Sequence, residues 1–192
     1  MDRAYGQSGT DQSIDTMKKT TATILIVDDD PNDLMFIRSA FKAVGTTSTI
    51  HTVDGGVEAI AYLKGEGKYS DRTTFAYPDF LITDLKMPEV DGFGVLEFLK
   101  SDLGSPLVWS AILSGSVDDD DVRKACWLGA CSYHVKPSSS SALRVLVKAL
   151  HDYWMLCEFP EANGGVSEPD SDTFRKLGAR FAHSVPEPAR SH

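Results

Sequence analysis

Within the run Thr23-Ile24-Leu25-Ile26-Val27-Asp28-Asp29-Asp30-Pro31-Asn32-Asp33 the chain passes from an apolar stretch to acids and then to a helix start. Five β-prone residues in succession, Ile24 to Val27 among them apolar, are what a strand buried on both faces requires. Asp30 is a candidate helix N-cap, and Pro31 suits the first helical position. Leu34, Ile37, Phe41 and Val44 then recur at helical spacing, with Gly45 as a natural stop.

The same cycle recurs downstream. Residues 49–53 read as a strand and 57–64 as a short helix ended by Gly65. Residues 80–83 read as a strand and 93–100 as a helix. A further strand is expected at 108–113, a helix at 119–128 ended by Gly129, a strand at 132–135 and a helix at 142–154. Five strands alternating with five helices predict an α/β fold, a doubly wound five-stranded parallel sheet with helices on both faces. Residues 65–78 form a long connection outside this cycle. The expected organisation is a flexible leader (1–21), one domain (22–158) and a mostly disordered tail (159–192). In the tail, Phe174, Leu177 and Phe181 share a face if 172–182 turns helical, a helix too short to persist without a docking surface.

Each apolar run is closed by a polar group: Asp28-Asp29, Asp84, Ser114 and Lys136-Pro137. In a parallel sheet these groups gather beyond the carboxyl ends of the strands, where ligands bind. Crowded carboxylates repel one another and raise their own pKa values, and a hard divalent cation relieves this. Oxygen donors with no nearby histidine favour magnesium over zinc. A carboxylate such as Asp84 can attack phosphorus to give an acyl phosphate. The Lys136 ammonium and the Ser114 hydroxyl are suited to the oxygens of the transferring group. Taken singly, each residue has a plain alternative: a helix cap, a solvated charge or a turn former at a strand end. Their joint spacing points to a magnesium-dependent phosphoryl acceptor.

Composition sets outer bounds. A formal net charge of −9 argues against nucleic-acid binding by phosphate neutralisation. No apolar run reaches membrane-spanning length, and residues 1–20 lack the apolar core of a signal peptide, so the expected compartment is the cytoplasm. Cys126, Cys131 and Cys157 have no metal-ligand spacing and are expected to be reduced thiols.

The segments ILIVDDDP, FLITDLKMPEVDGF, AILSGS and GACSYHVKP resemble, in order, the receiver domain of bacterial two-component response regulators. The resemblance spans residues 22 to 155. It implies a flavodoxin-like strand order 2-1-3-4-5, Asp84 as phosphoacceptor, Asp29 as a direct magnesium ligand and Asp28 acting largely through metal-bound water. The Lys86 backbone carbonyl completes that ligand set. Ser114 matches the switch hydroxyl, Tyr133 the switch aromatic and Lys136 the family's lysine, with a cis Lys136-Pro137 bond expected. Ser114 stands where Thr is commoner, which keeps the hydroxyl but omits a methyl. Ser110, inside an expected strand, has no functional reading.

The segments DPNDL, YLKGEGKYSDRTTFAYPDF and DYWML are similar to stand-alone regulators paired with phytochrome-type and hybrid histidine kinases. That similarity implies a sensor histidine kinase as partner, a bacteriophytochrome or hybrid kinase among the candidates. It also implies a homodimer through the C-terminal helices, with Tyr153-Trp154-Met155-Leu156 either at that surface or closing the domain's own core. Some 35 residues after the receiver are few for a DNA-binding or catalytic output domain, so output by protein contact is expected. A phosphatase of the haloacid dehalogenase type uses similar groups, but Lys86 and Asp30-Pro31 depart from its Asp-x-Asp pattern. A phosphorylation-silent interaction module is opposed by the intact set Asp28, Asp29, Asp84, Ser114 and Lys136.

Overall fold

The computed structural model describes residues 21–101, 107–115 and 117–157. Five strands are present in it: β1 (Thr23–Asp28), β2 (Thr49–Asp54), β3 (Phe80–Thr83), β4 (Trp109–Ser114) and β5 (Ser132–Val135). They alternate with α1 (Pro31–Ala43), α2 (Gly56–Lys64), α3 (Gly92–Ser101), α4 (Asp119–Trp127) and α5 (Ser140–Leu156). All pairings are parallel and the order is β2-β1-β3-β4-β5, as expected. Winding reverses between β1 and β3, so the crevice at their carboxyl ends is where this architecture binds ligands.

Side chains alternate across the central strands with a period of two, which divides the core. Ile24, Ile26, Phe80, Ile82 and Leu113 face α1 and α5, meeting Ile37, Phe41, Val147 and Trp154. Leu25, Val27 and Leu81 face the opposite side, with Ala59, Tyr62 and Val95. Further along that side, Leu85, Phe93, Leu96, Ile112, Ala125 and Leu128 form a third cluster, with Tyr133 against it.

Local signals explain the element ends. Asp30 caps α1, its Oδ1 accepting from Asn32 N–H at 2.8 Å with Pro31 next in line. Asp118 and Ser139 cap α4 and α5 in the same way. Helix α5 starts two residues earlier and runs two residues further than the apolar spacing suggests, because Ser139 caps it and polar Ser140 and Ser141 lie in its first turn.

The long connection at 65–78 is ordered around a guanidinium. Arg72 donates to the carbonyls of Tyr62 (2.8 Å) and Leu63 (2.6 Å), satisfying the open end of α2. A 3-10 turn at Gly67–Tyr69 buries Tyr69 beside Tyr62.

One expectation is corrected. No cis peptide bond occurs among the described residues, so Lys136-Pro137 is trans. An X-Pro bond favours trans by about 0.5–1 kcal/mol unless its surroundings oppose it. The tail helix expected at 172–182 and all but the last residue of the leader expected at 1–21 lie outside the described residues.

Candidate functional site

The four polar strand ends do meet at one edge. In the parallel register Val27 lies opposite Thr83, and the Asp84 N–H donates to the Val27 carbonyl at 2.8 Å. Asp28 and Asp84 therefore leave adjacent strands side by side. Ser114 pairs with Val135, and the Lys136 N–H donates to the Ser114 carbonyl at 2.7 Å. Thr83 Oγ1 donates to the Asp84 carbonyl at 2.8 Å, fixing the backbone at the acceptor. Asp28, Asp84 and Ser114 are all buried.

Lys136 organises the centre. Its Nζ lies 2.7 Å from Asp84 Oδ1, 2.8 Å from Asp28 Oδ2 and 2.7 Å from Asp33 Oδ2. Burial alone would pull the ammonium's pKa down; its close contacts with the Asp28, Asp33 and Asp84 carboxylates outweigh it and hold the group above the ordinary lysine range. Burial pushes the Asp28 carboxyl up, against the lowering effect of Lys136 and the Asp30 N–H. Asp28 Oδ2 has the ammonium's charge nearby but no well-aligned hydrogen bond. A buried carboxylate oxygen in that state has lone pairs open to a further partner. Asp84 Oδ2 accepts from the Lys86 N–H at 2.6 Å.

The loop after Asp84 is built by close backbone approach. A Cβ on Gly92 would lie 2.3 Å from the Asp84 carbonyl oxygen, and one on Gly56 would lie 2.2 Å from that of Val90. Both positions exclude any larger residue. Glu89, at φ 60°, is the non-glycine residue with left-handed backbone in this loop.

Beside this loop lies an open cavity of about 530 Å³ lined by Asp29, Lys86, Met87, Pro88, Phe93 and Asp121, among others. Asp29 is exposed at its rim. Among the described residues no three His, Cys, Asp or Glu side chains are placed to hold a metal together. The donor set is nonetheless hard oxygen throughout: the buried Asp28 oxygen lacking a donor, the free Asp29 carboxylate, Asp84 and the Lys86 carbonyl. Those residues fit a hard divalent cation.

Asp28, Asp84 and Lys136, named from the sequence, are thus in direct contact, with Ser114 adjacent. Asp29 and Lys86 stand at the rim. Tyr133 is half-buried on β5 opposite Ile112, on the face toward α3 and α4. Asp33 was legible only as part of a helix start. Its one available signal is its place three residues beyond the Asp30 cap, in the turn that overhangs the sheet edge.

Residues 24–148 match the response regulator receiver domain family, and the chain belongs to it. The chain is 32% identical over 135 residues to a probable methanogenesis regulatory protein, FilR2, of Methanothrix harundinacea, covering 69% of this chain and 83% of that one. Among solved structures it is similar to the phosphorylated cyanobacterial phytochrome response regulator RcpA. The TM-score is 0.65 at 30% identity, over 73% of this chain and 99% of RcpA. The Mn(2+)-bound form of response regulator Rcp1 matches with a TM-score of 0.63 at 25% identity, over 72% of this chain and 99% of Rcp1. Close structural neighbours are therefore phytochrome-associated response regulators.

Proposed function

We propose that this chain accepts a phosphoryl group from a histidine kinase onto Asp84 and signals by protein contact. The observation that carries the reading is the buried Asp84 carboxylate at the sheet edge, 2.7 Å from the Lys136 ammonium. An Asp84 oxygen attacks the phosphorus, the P–N bond of the phosphohistidine breaks, and the released imidazole takes up a proton. The product is an acyl phosphate. Lys136 follows the charge onto the phosphoryl oxygens, and the Ser114 hydroxyl donates to one of them. A magnesium ion held by Asp28, Asp29, Asp84 and the Lys86 carbonyl would supply the further positive charge that phosphoryl transfer needs. The chain catalyses only its own phosphorylation and dephosphorylation.

Phosphorylation biases two conformations. Ser114 moves toward the new charge and Tyr133 fills the space it leaves, remodelling the surface of α4, β5 and α5. That surface includes an apolar stripe on α5 formed by Ala142, Val145, Ala149, Tyr153 and Leu156, all exposed. Val145 and Leu156 are about 70% exposed (71% and 70%), and apolar patches of this kind mark contacts. The stripe supports a homodimer through the C-terminal helices. Similarity to RcpA supports a phytochrome-type sensor kinase as phosphoryl donor.

The test is transfer from a radiolabelled, autophosphorylated bacteriophytochrome or hybrid kinase. Label should pass to the wild-type chain within minutes when magnesium is present and stay on the kinase when Asp84→Asn is supplied. Transfer to both proteins would place the acceptor elsewhere.

A further inference from the structure

We propose that Asp33 is a positioning residue: it shares the Lys136 ammonium with Asp84 and acts as an electrostatic brake on phosphoryl acceptance. The inference rests on the phosphoacceptor reading above and adds a rate-setting residue to it.

The placement follows from the sequence. With Asp30 as N-cap and Pro31 opening the helix, Asp33 falls in the first turn of α1. A carboxylate there ordinarily interacts with the helix's own N-terminus. Here its Oδ2 instead accepts a hydrogen bond from Lys136 Nζ at 2.7 Å, across 103 positions of chain.

The charges do not balance. One ammonium, with three N–H groups, faces the carboxylates of Asp28, Asp33 and Asp84 at 2.7–2.8 Å. Asp28 and Asp84 are nearly inaccessible, at 2% and 7% side-chain exposure, whereas Asp33 is 34% exposed. Asp33 also lines an open cavity of about 410 Å³ with Phe36, Lys136, Pro137 and Ser138. The third carboxylate therefore stands on the solvent side of the cluster. An incoming phosphoryl dianion meets its negative charge, and it meets an ammonium with one N–H already committed to Asp33. Both effects oppose the build-up of negative charge beside Asp84, and both act at short range in a partly desolvated site. Lys136 keeps its place without Asp33, because Asp28 and the backbone bond to Ser114 still hold it.

A plain structural reading makes Asp33 only a first-turn acid with a stabilising ion pair. Charge separates the two readings. At neutral pH acetyl phosphate is a dianion and phosphoramidate is largely monoanionic. Rates of Asp84 phosphorylation are measured by intact mass for wild type, Asp33→Asn and Asp33→Glu, in the full chain with magnesium and each donor. Circular dichroism confirms that the variants are folded.

The expected result for Asp33→Asn is a rate about tenfold higher with acetyl phosphate, from removal of one nearby charge. A clearly smaller gain is expected with phosphoramidate. Asp33→Glu, which restores the charge, should return to within about twofold of wild type, since a longer stem preserves the ion pair. An unchanged or lower rate in Asp33→Asn, or the same factor with both donors, overturns the brake. Absence of phosphorylation in wild type and Asp33→Asn alike overturns the phosphoacceptor reading itself, so the two failures are distinct.

Discussion

Lys136 is where the separate strand ends become one site. Its ammonium touches acids from β1, from the first turn of α1 and from the end of β3, so three distant parts of the chain share one cation. Asp28, Asp84, Ser114 and Lys136 were legible because each closes an apolar run, and parallel register then forces them together. Asp33 was not, because a helix first turn is crowded with acids for capping reasons and nothing local tells one role from another.

His51 was equally silent. It lies in an aromatic group with Tyr62 and Phe75, ring centroids 5.5 Å away in each case, and its buried Nε2 has no hydrogen-bond partner. Burial first, and the Arg38 charge second, hold its pKa below the ordinary 6.5. Below pH 6.5 the unfolded chain therefore takes up a proton at this ring more readily than the folded chain does. Its contribution to stability is therefore complete above pH 6.5 and is lost as pH falls below that value. Urea unfolding from pH 7.5 to 5 should show wild-type stability falling more steeply than that of His51→Phe. Parallel curves would remove His51 from the account.

The clearest division of labour within one element is in α5. Trp154 stacks on Phe80 with centroids 4.4 Å apart and planes at 7°, fully inside the domain. Tyr153 and Leu156 flank it and point outward, at 58% and 70% exposure. The aromatic cluster at the end of α5 is therefore split: Trp154 closes the core with Met155 partly buried against it, while Tyr153, whose ring lies 6.3 Å from that of Trp109, and Leu156 stay exposed. Trp154→Ala should cost about 3–5 kcal/mol of unfolding free energy. Leu156→Ser should leave stability within about 0.5 kcal/mol, as exposed positions do, while weakening self-association in sedimentation velocity. A large loss of stability in Leu156→Ser would mean that the outward stripe belongs to the core.

The 65–78 connection gives the complementary lesson. Its aromatic residues read as an irregular insertion, since no period of two or 3.6 runs through them. Their order comes instead from Arg72 satisfying the end of α2 and from Tyr69 reaching Glu58, at 2.5 Å. Tertiary hydrogen bonds of that kind leave no periodic trace.

Among the described residues, the alternation of five strands with five helices follows from apolar periodicity, while the strand order is the one the family resemblance implied, and family membership agrees with both. The trans Lys136-Pro137 bond shows the limit of carrying a backbone detail over by resemblance, because the isomer depends on packing around a single bond. The proposed function rests on one local event, transfer of a phosphoryl group to the Asp84 carboxylate. Intact-mass measurement after incubation with magnesium and acetyl phosphate, wild type beside Asp84→Asn, tests it most directly. The expected result is a gain of one phosphoryl group by the wild-type chain, dependent on the metal and absent from the variant. A gain of the same size in Asp84→Asn, or one indifferent to removal of magnesium, would contradict it.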